Sequence, residues 1–340
     1  MALRSGAVLG LDAGGTATSA ILVDAEGMVR WRGTVDAGSL TLRGVDGAAG
    51  VVLSIWEDVS QAADEAGISI VALAAGFAGG RAPERQEEVK QVLAQRLGLD
   101  PVGDDLKLVV THDAYAALVG AFGPDATGCL LISGTGSICI VRSSPDRVEL
   151  SGGWGWPLGD EGSGAWIGMA ALRRAVGALQ QQQESALADR VREMWNLGPA
   201  PDTAGAELMQ AAAGAAAQPA RFALLAPGVL EMARAGDGQA REIVTEAGLH
   251  LGLLIAEACE RAGRPAGERL GTVLSGGFGQ AAADLLEAPI RNGAGVYGHD
   301  LAFIQPLLPP EGGAALLGLQ AAGFEPDQNT IERISDSFGT

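Results

Sequence analysis

The residues of this sequence that could do chemistry lie in short turns that follow apolar runs. Asp12 ends one such run and is followed by Gly14, Gly15 and Thr16, before a second apolar run begins. Apolar runs on either side of turn residues predict two strands joined as a β-hairpin. Glycines let backbone N–H groups approach an anion, and threonine hydroxyls add further donors. The turn is therefore a candidate phosphate site, with Asp12 placed to hold a hydrated Mg²⁺.

A second turn of the same kind lies in the middle of the chain. Taken alone, the first turn could be an ordinary glycine hairpin. Residues 133–137 repeat its order of apolar run, Gly/Thr turn and apolar run, and a third apolar run leads into Gly276 and Gly277. Neither a G-x-x-x-x-G-K-[ST] nor a strand–G-x-G-x-x-G–helix pattern is present. The repetition favours a duplicated phosphate-binding turn, and the third turn suits a nucleoside lying against backbone.

Two aspartates are candidates for acid–base or substrate-binding roles. Asp113 follows a predicted strand and begins a predicted helix, so it is either an N-cap or a carboxylate at the ligand-binding edge of a sheet. Asp160 lies in the glycine-dense residues 152–164, and it has the same N-cap alternative because a helix is expected to begin there. Trp154 and Trp156 in that stretch could pack in a core or offer a flat apolar face to a sugar ring.

The composition of the sequence disfavours several classes of protein and of binding partner. The 340 residues carry 23 Lys+Arg against 41 Asp+Glu, a formal net charge of −18, which disfavours nucleic acid and anionic membrane surfaces as partners. Three cysteines, Cys129, Cys139 and Cys259, show no C-x-x-C spacing, so neither a zinc site nor a disulfide framework is indicated. No leader-like segment and no long uninterrupted apolar run is present. A cytoplasmic protein is therefore expected.

The order of elements indicates a duplicated α/β protein. Up to residue 111 the pattern is β-β-β-α-β-α-β, with the last strand over residues 105–111. Residues 38–43 are predicted to form a loop before a helix over about residues 45–66. The expected divisions are an N-terminal domain at 1–114, a C-terminal domain with helical insertions at 115–324, and a polar, frayed tail at 325–340.

The whole set of turns resembles the actin-like ATPase superfamily. Within it, the stretch over residues 152–164 is similar to the N-acetylglucosamine kinases and bacterial glucosamine kinases of the BadF/BadG/BcrA/BcrD ATPase family. The resemblance covers nearly the whole chain. It implies an α/β fold of two actin-like (ribonuclease H-like) ATPase domains, each with a β-β-β-α-β-α-β core, with a cleft between them. It also implies a homodimer.

The resemblance assigns roles to residues one by one. Asp113 matches the catalytic base that accepts the proton of the sugar hydroxyl, and Asp12 matches the carboxylate on the side of the metal. The residues that the resemblance implies for the nucleotide are Gly14, Gly15, Thr16, Thr135, Gly136, Gly276 and Gly277. The residues that it implies for the sugar are Thr41, Gly79, Asp113, Ser137, Gly153, Trp154 and Asp160.

The expected activity is transfer of the γ-phosphoryl group of ATP, with Mg²⁺, to a hydroxyl of N-acetylglucosamine or glucosamine, with O6 as the expected acceptor. One departure bears on the sugar. Relatives commonly carry Asn in the loop that corresponds to residues 38–43, and this sequence has Ser39, Leu40 and Thr41 there. The alternatives are therefore a kinase for another hexose or N-acetylmuramic acid, or an ATP-driven activator of the same family. The scattered cysteines disfavour the activator, and the acidic charge disfavours a sugar-responsive repressor.

Overall fold

The computed structural model describes residues 6–99, 106–197 and 204–339 and divides into two compact units. Unit 1 contains the chain up to Ala126 together with the chain from Gln305 onward, and unit 2 contains Thr127–Ile304. Each unit is built on one five-stranded sheet flanked by helices.

Unit 1 begins with three antiparallel strands and continues with parallel ones. Its strands are β1 (Gly6–Ala13), β2 (Ala17–Asp24), β3 (Val29–Asp36), β4 (Ser69–Phe77) and β5 (Lys107–His112). Its helices are α1 (Leu40–Glu65), α2 (Pro83–Leu97), α3 (Asp113–Phe122), α12 (Pro310–Ala321) and α13 (Gln328–Asp336). The strand order is β3-β2-β1-β4-β5, with β4 and β5 running parallel to β1.

Unit 2 repeats this arrangement with a larger helical part. Its strands are β6 (Gly128–Ser133), β7 (Ser137–Ser144), β8 (Arg147–Gly152), β9 (Arg269–Ser275) and β10 (Asp300–Phe303). Its helices are α4 (Gly164–Gln180), α5 (Ala186–Met194), α6 (Ala204–Ala215), α7 (Pro219–Ala223), α8 (Ala226–Ala235), α9 (Gly238–Arg261), α10 (Gly277–Ala281) and α11 (Ala283–Gly295). The order β8-β7-β6-β9-β10 matches unit 1 strand for strand. The duplication predicted from the two turns is thus present in the fold.

Strand β1 is buried on both faces, as expected for the centre of a sheet covered by helices. Because side chains alternate along a strand, Leu9 and Leu11 pack with Val52 of α1 on one face. Val8 packs on the other face with Leu316 of α12. Residues of β1 with even numbers, Asp12 included, therefore face α12.

Three predictions about organisation are corrected by the structure. Residues 38–43 are not wholly a loop, because α1 already begins at Leu40 and is interrupted at Gly44, whose φ of 65° breaks the helical pattern. The strand predicted over residues 105–111 is observed as Lys107–His112, and residue 105 lies outside the described residues. The polar tail forms helix α13, because Ile331 and Ile334 lie on one face and bury against unit 1.

The predicted domain boundaries also differ from the grouping in the structure. The boundary after residue 114 would cut α3, which stays with unit 1 through Phe122. The predicted boundaries also assign helix α12 to the second domain. In the structure α12 packs on β1 and α3, and it therefore belongs to unit 1. Within the described residues, no helix combines the length and the apolar character needed to cross a membrane.

Candidate active site

The first predicted phosphate turn lies at the end of the β1–β2 hairpin. The N–H of Gly14 donates to the carbonyl of Ala17 at 3.0 Å and closes the turn. Gly15 and Thr16 are exposed at its tip, and a Cβ added to Gly15 would meet no atom within 4 Å. The tip of the turn is therefore open, and its role as a phosphate site stays a prediction.

Asp113 lies at the carboxyl edge of the same sheet. It is the first residue of α3, and the N-cap is His112, whose Nδ1 accepts from the N–H of Ala114 at 3.2 Å. Burial lowers the pKa of His112, Asp113 partly offsets this, and Arg81 adds to it, which suits a neutral imidazole acting as an acceptor. His112 is therefore the N-cap, and Oδ1 of Asp113 accepts from the same N–H of Ala114, at 2.8 Å, from the first helical position.

Asp12 and Asp113 are brought close by the pairing of neighbouring strands. Asp12 pairs with Gly76 of β4, and a Cβ on Gly76 would lie 3.1 Å from Cα of Asp113. Burial, followed by the charges of Asp113 and Glu311, raises the pKa of Asp12 to about 7. The edge of this sheet therefore carries the half-buried carboxylate of Asp12, with the charges of Asp113 and Glu311 near enough to affect its pKa.

Glu311 was missed from the sequence. It is in the first turn of α12, where acidic residues are common because they favour the positive end of the helix dipole. Nothing in its local pattern places it beside Asp12, since the contact depends on α12 packing across β1. The only local signal is the Pro-Pro-Glu start of that helix.

Two predicted sugar-binding residues of unit 1 touch each other. A Cβ added to Gly79, whose φ is +82°, would collide with Oγ1 of Thr41. The segment before Thr41 is fixed to the same loop, because the N–H of Leu40 donates to the carbonyl of Ala78 at 2.9 Å. Both Thr41 and Gly79 are exposed. The structure therefore places these two together at the surface of unit 1.

The second phosphate turn, residues 134–136, is tied to the start of helix α4. The N–H of Gly134 donates to the carbonyl of Gly136 at 2.9 Å, and the N–H of Gly164 donates to the carbonyl of Gly134 at 2.8 Å. Thr135 is exposed at the tip of the turn. The hydroxyl of Ser133 also donates to the carbonyl of Gly162 at 2.9 Å. The glycine-dense stretch thus wraps around the turn.

Asp160 is not the N-cap that its sequence position suggested. Helix α4 begins at Gly164 and Ser163 is its cap, whereas Asp160 has a left-handed φ of 68°. Its Oδ1 accepts from the N–H of Ser137 at 3.2 Å, and the hydroxyl of Ser137 donates to the carbonyl of Glu161 at 2.8 Å. Burial raises the pKa of Asp160, the Ser137 N–H opposes this, and Glu161 adds to it. Asp160 is therefore positioned by the turn.

The two tryptophans of this stretch divide between the two predicted roles. Trp156 stacks on Phe222 with ring centroids 5.1 Å apart, and its Nε1 donates to the carbonyl of Ala216 at 2.9 Å. Trp154 is 69% exposed. The neighbouring Gly153 is exposed, and its N–H donates to the carbonyl of Ser137 at 2.9 Å. Trp156 is therefore a packing residue, and the sugar role of Trp154 stays a prediction.

The predicted adenosine loop lies against the second phosphate turn. A Cβ on Gly276, whose φ is +86°, would lie 2.9 Å from the N of Gly134 and would overlap the carbonyl of Ser133. Only glycine fits at this position without strain. Gly277 is exposed, and a Cβ there would meet no atom within 4 Å. In unit 2 the structure thus brings together the second turn, Asp160 and the Gly276–Gly277 loop.

The donor set around Asp12 fits a hydrated magnesium ion. In the described part of the chain, no group of three or more His, Cys, Asp or Glu side chains is arranged to cage a metal. Mg²⁺ does not need such a cage, because it keeps several waters and takes one or two carboxylates plus the substrate's phosphates. Asp12 supplies a half-buried carboxylate with like charges nearby, so a cation there would relieve repulsion.

The paired sheets, the open glycine turns and the carboxylates at their edges define an actin-like ATPase fold. The chain belongs to the BadF/BadG/BcrA/BcrD ATPase family, which it matches over residues 9–318.

Named relatives support the same grouping. The chain is 42% identical over 81 residues to an N-acetylmuramic acid/N-acetylglucosamine kinase of Clostridium acetobutylicum, an alignment that covers 24% of this chain and 26% of that one. It is 26% identical over 326 residues to the N-acetyl-D-glucosamine kinase of Dictyostelium discoideum, covering 92% of this chain and 98% of that one. A solved structure of a candidate N-acetylglucosamine kinase from Chromobacterium violaceum superposes with a TM-score of 0.70 and 29% identity, covering 93% and 99% of the chains.

Proposed function

We propose that this chain is an ATP-dependent kinase that phosphorylates a hydroxyl, expected to be O6, of N-acetylglucosamine or glucosamine. The observation that carries the proposal is the edge of the unit 1 sheet, where an open glycine turn, Asp12 and Asp113 meet. The names of the Dictyostelium and Clostridium relatives support the choice of substrate.

The reaction needs in-line positioning and charge neutralisation more than covalent catalysis. The sugar hydroxyl oxygen forms a bond to the γ-phosphorus, the bond from that phosphorus to the β-phosphate oxygen breaks, and ADP leaves. Asp113 would accept the hydroxyl proton as general base. Mg²⁺, which Asp12 would hold, supplies neutralisation of phosphate charge when it is bound.

The remaining site residues are assigned by the groups that they could present to the nucleotide or to the sugar. Backbone N–H groups of residues 14–16 and 134–136 would bind phosphate oxygens, and the Gly276–Gly277 loop would approach the adenosine. Thr41, Gly79, Ser137, Gly153 and Asp160 would contact the sugar, with Trp154 as an apolar face for its ring. A homodimer is part of the proposal and is tested by light scattering of the purified protein.

The test is ADP release from ATP and Mg²⁺ across glucosamine, N-acetylglucosamine, glucose, N-acetylmannosamine, N-acetylmuramic acid and buffer alone. We expect strong turnover with an amino sugar and little with buffer. A preference for N-acetylmuramic acid or glucose would keep the chemistry and change the substrate, which the absence of Asn from residues 38–43 makes a real alternative. Equal hydrolysis in every well, or none, would overturn the kinase assignment and favour the activator.

A further inference from the structure

His112 has an ordinary role that any further role must exceed. Its side chain caps helix α3, because Nδ1 accepts from the N–H of Ala114 at 3.2 Å. The residues preferred at an N-cap are Ser, Thr, Asp and Asn. Helices α4, α5, α9 and α13 follow this preference, with the caps Ser163, Ser185, Asp237 and Asp327. Capping alone therefore does not explain a histidine at position 112.

The acceptor atom of the His112 cap lies directly beside the proposed general base. Oδ1 of Asp113 accepts from the same N–H of Ala114, at 2.8 Å. Nδ1 of His112 and Oδ1 of Asp113 are 3.2 Å apart. One backbone N–H thus serves two acceptors, and it holds the imidazole and the carboxylate side by side.

This arrangement engages one oxygen of Asp113 and leaves the other for a substrate. Oδ1 is bound by Ala114, whereas Oδ2 accepts no hydrogen bond from the part of the chain that the structure describes. The side chain of Asp113 is 30% exposed and that of His112 is 14% exposed. A general base must reach the hydroxyl at hydrogen-bond distance, so the orientation of this carboxylate decides whether it can act.

The imidazole can occupy this position in two protonation states that have opposite effects. In the neutral form Nδ1 is an acceptor and the proton is on Nε2. In the protonated form both ring nitrogens are donors, so Nδ1 can no longer accept from Ala114 and faces Oδ1 of Asp113 as a donor. A charge-assisted hydrogen bond of this kind would stabilise the ionised carboxylate and make it a weaker proton acceptor.

The groups around His112 favour the neutral form at neutral pH. Burial lowers the pKa of His112 from its ordinary 6.5. Two charged groups of the described residues act on the imidazole from neighbouring elements. The carboxylate of Asp113 in α3 opposes the lowering of the pKa, and Arg81 in the loop after β4 adds to it. The change between the two forms therefore lies on the acid side of pH 6.5.

We propose that His112 is a positioning residue for the general base, whose neutral imidazole helps to hold Asp113 in the first turn of α3 and whose protonated form withdraws Asp113 by hydrogen bonding to Oδ1. The inference rests on the proposed function, because it takes Asp113 as the base. His112 touches neither the sugar nor the nucleotide in this role. Its signature is the acid side of the pH profile of turnover.

The experiment is the pH profile of kcat for the full chain, from pH 4.5 to pH 8, with saturating ATP, Mg²⁺ and the sugar that gives the fastest turnover. We expect the kcat of the wild type to fall as pH drops below 6.5. His112→Asn keeps a capping oxygen that does not titrate in this range. Its kcat at pH 8 should be close to that of the wild type, and the midpoint of its acid limb should move down by about 1 pH unit or more.

A second variant separates the acceptor from the ring. His112→Phe keeps a planar ring and removes Nδ1, so Ala114 alone holds the carboxylate of Asp113. The kcat at pH 8 should fall about 10-fold, since misplacing a reacting group by about 1 Å can cost about 10²-fold. The midpoint of an acid limb is read within each variant, so a partial loss of folded protein does not move it.

The other two histidines of the chain are the controls. His250→Asn changes a half-buried imidazole that contacts the ring of Trp166 in unit 2. His299→Asn is the stricter control, because burial lowers the pKa of His299 as it does that of His112. Both variants should keep the wild-type midpoint.

Each result bears on the inference in a distinct way. A lowered midpoint in His112→Asn alone would support it. An unchanged midpoint in that variant, no measurable turnover of it at pH 8, or the same shift in His250→Asn or His299→Asn would overturn it and leave the kinase proposal intact. If the wild-type protein phosphorylates no sugar, the proposed function fails and this inference fails with it.

Discussion

The backbone N–H of Ser137 donates a hydrogen bond of 3.2 Å to Oδ1 of Asp160, across a separation of 23 residues. This contact joins the predicted sugar carboxylate to the strand that leaves the second glycine turn. The carboxylate also fills the space beside Gly136, because a Cβ on that glycine would lie 2.9 Å from both of its oxygens. The position of Asp160 therefore depends on the absence of a side chain at residue 136.

Gly136→Ala should displace Asp160 and weaken sugar binding. A contact of 2.9 Å is shorter than a methyl group tolerates, so the carboxylate or the turn must move. Losing a charged hydrogen bond to the sugar costs about 1.5–3 kcal/mol, which predicts a rise in the KM for sugar of roughly 10- to 100-fold. The measurement is steady-state kinetics with varied sugar.

The matched control is Gly134→Ala in the same turn. A Cβ on Gly134 would meet no atom within 4 Å, and its φ is not in the left-handed region. The KM for sugar should therefore stay close to the wild-type value, whatever the effect on the nucleotide. Equal sugar KM values in the two alanine variants would contradict the link between Gly136 and Asp160.

Asp113→Asn should lower turnover and leave ADP binding nearly intact. A general base contributes about 10²–10⁴-fold to a rate, so kcat should fall within that range. The measurements are ADP release and a calorimetric titration with ADP. As a control, Asp189→Asn removes an exposed first-turn carboxylate from α5 and should keep the wild-type rate. Wild-type turnover in Asp113→Asn would remove the role of base from this residue.

Asp12→Asn should stabilise the fold above neutral pH while it impairs the use of Mg²⁺. The pKa of Asp12 is about 7 in the folded chain and near 3.8 when unfolded. The folded state therefore holds the proton of Asp12 more tightly than the unfolded state does. The stability that this proton contributes is lost as pH rises from 3.8 to about 7. The amide cannot ionise, so the variant should gain about 1 to 4 kcal/mol over the wild type above pH 7.

The measurement for Asp12 is the free energy of unfolding by denaturant from pH 4 to pH 8. The gap between Asp12→Asn and the wild type should be smallest near pH 4, widen to about pH 7 and then level off. Asp58→Asn changes an exposed aspartate of α1 and should follow the wild-type curve. Parallel curves for Asp12→Asn and the wild type would show that Asp12 is not held protonated by the fold.

The three cysteines should be unreactive in the native protein. All are buried free thiols, with Sγ of Cys129 3.5 Å from Sγ of Cys139. Burial raises the pKa of Cys129 well above its usual value and that of Cys259 to about 12. Cys129 and Cys259 are therefore thiols at pH 8, and thiols are poor nucleophiles. Cys139 is shielded from reagents by its burial. Iodoacetamide should label none of them in the native state and all three in guanidinium. Rapid native labelling, or the absorbance of an iron–sulfur cluster, would favour the activator.

Local patterns were sufficient to predict the hairpin turns and the buried strands. Gly14–Thr16 and residues 134–136 each follow a continuous apolar run, and both the run and the turn are visible within a few residues of each other. Their recurrence at the same place in two sheets also predicted the duplicated topology. These features depend on backbone preference and short-range patterning alone.

The parts that could not be predicted depend on contacts between distant segments or on unusual backbone. Glu311 meets the Asp12 face only after α12 packs across β1. Asp160 departs from its expected cap position because its φ is left-handed, which aspartate tolerates but sequence does not signal. The tail was predicted to fray because its composition is polar, although Ile331 and Ile334 have the spacing of an amphipathic helix.

Unit 1 is interrupted in the chain by the whole of unit 2, and this has a consequence for synthesis. The ribosome synthesises residues 127–304 before it reaches α12 and α13. The sequence of unit 2 is therefore complete before that of unit 1. Until then the face of β1 that carries Val8 and Asp12 lacks its covering helix. The nascent chain must therefore keep this half-covered sheet in solution until unit 2 has been made and α12 follows it.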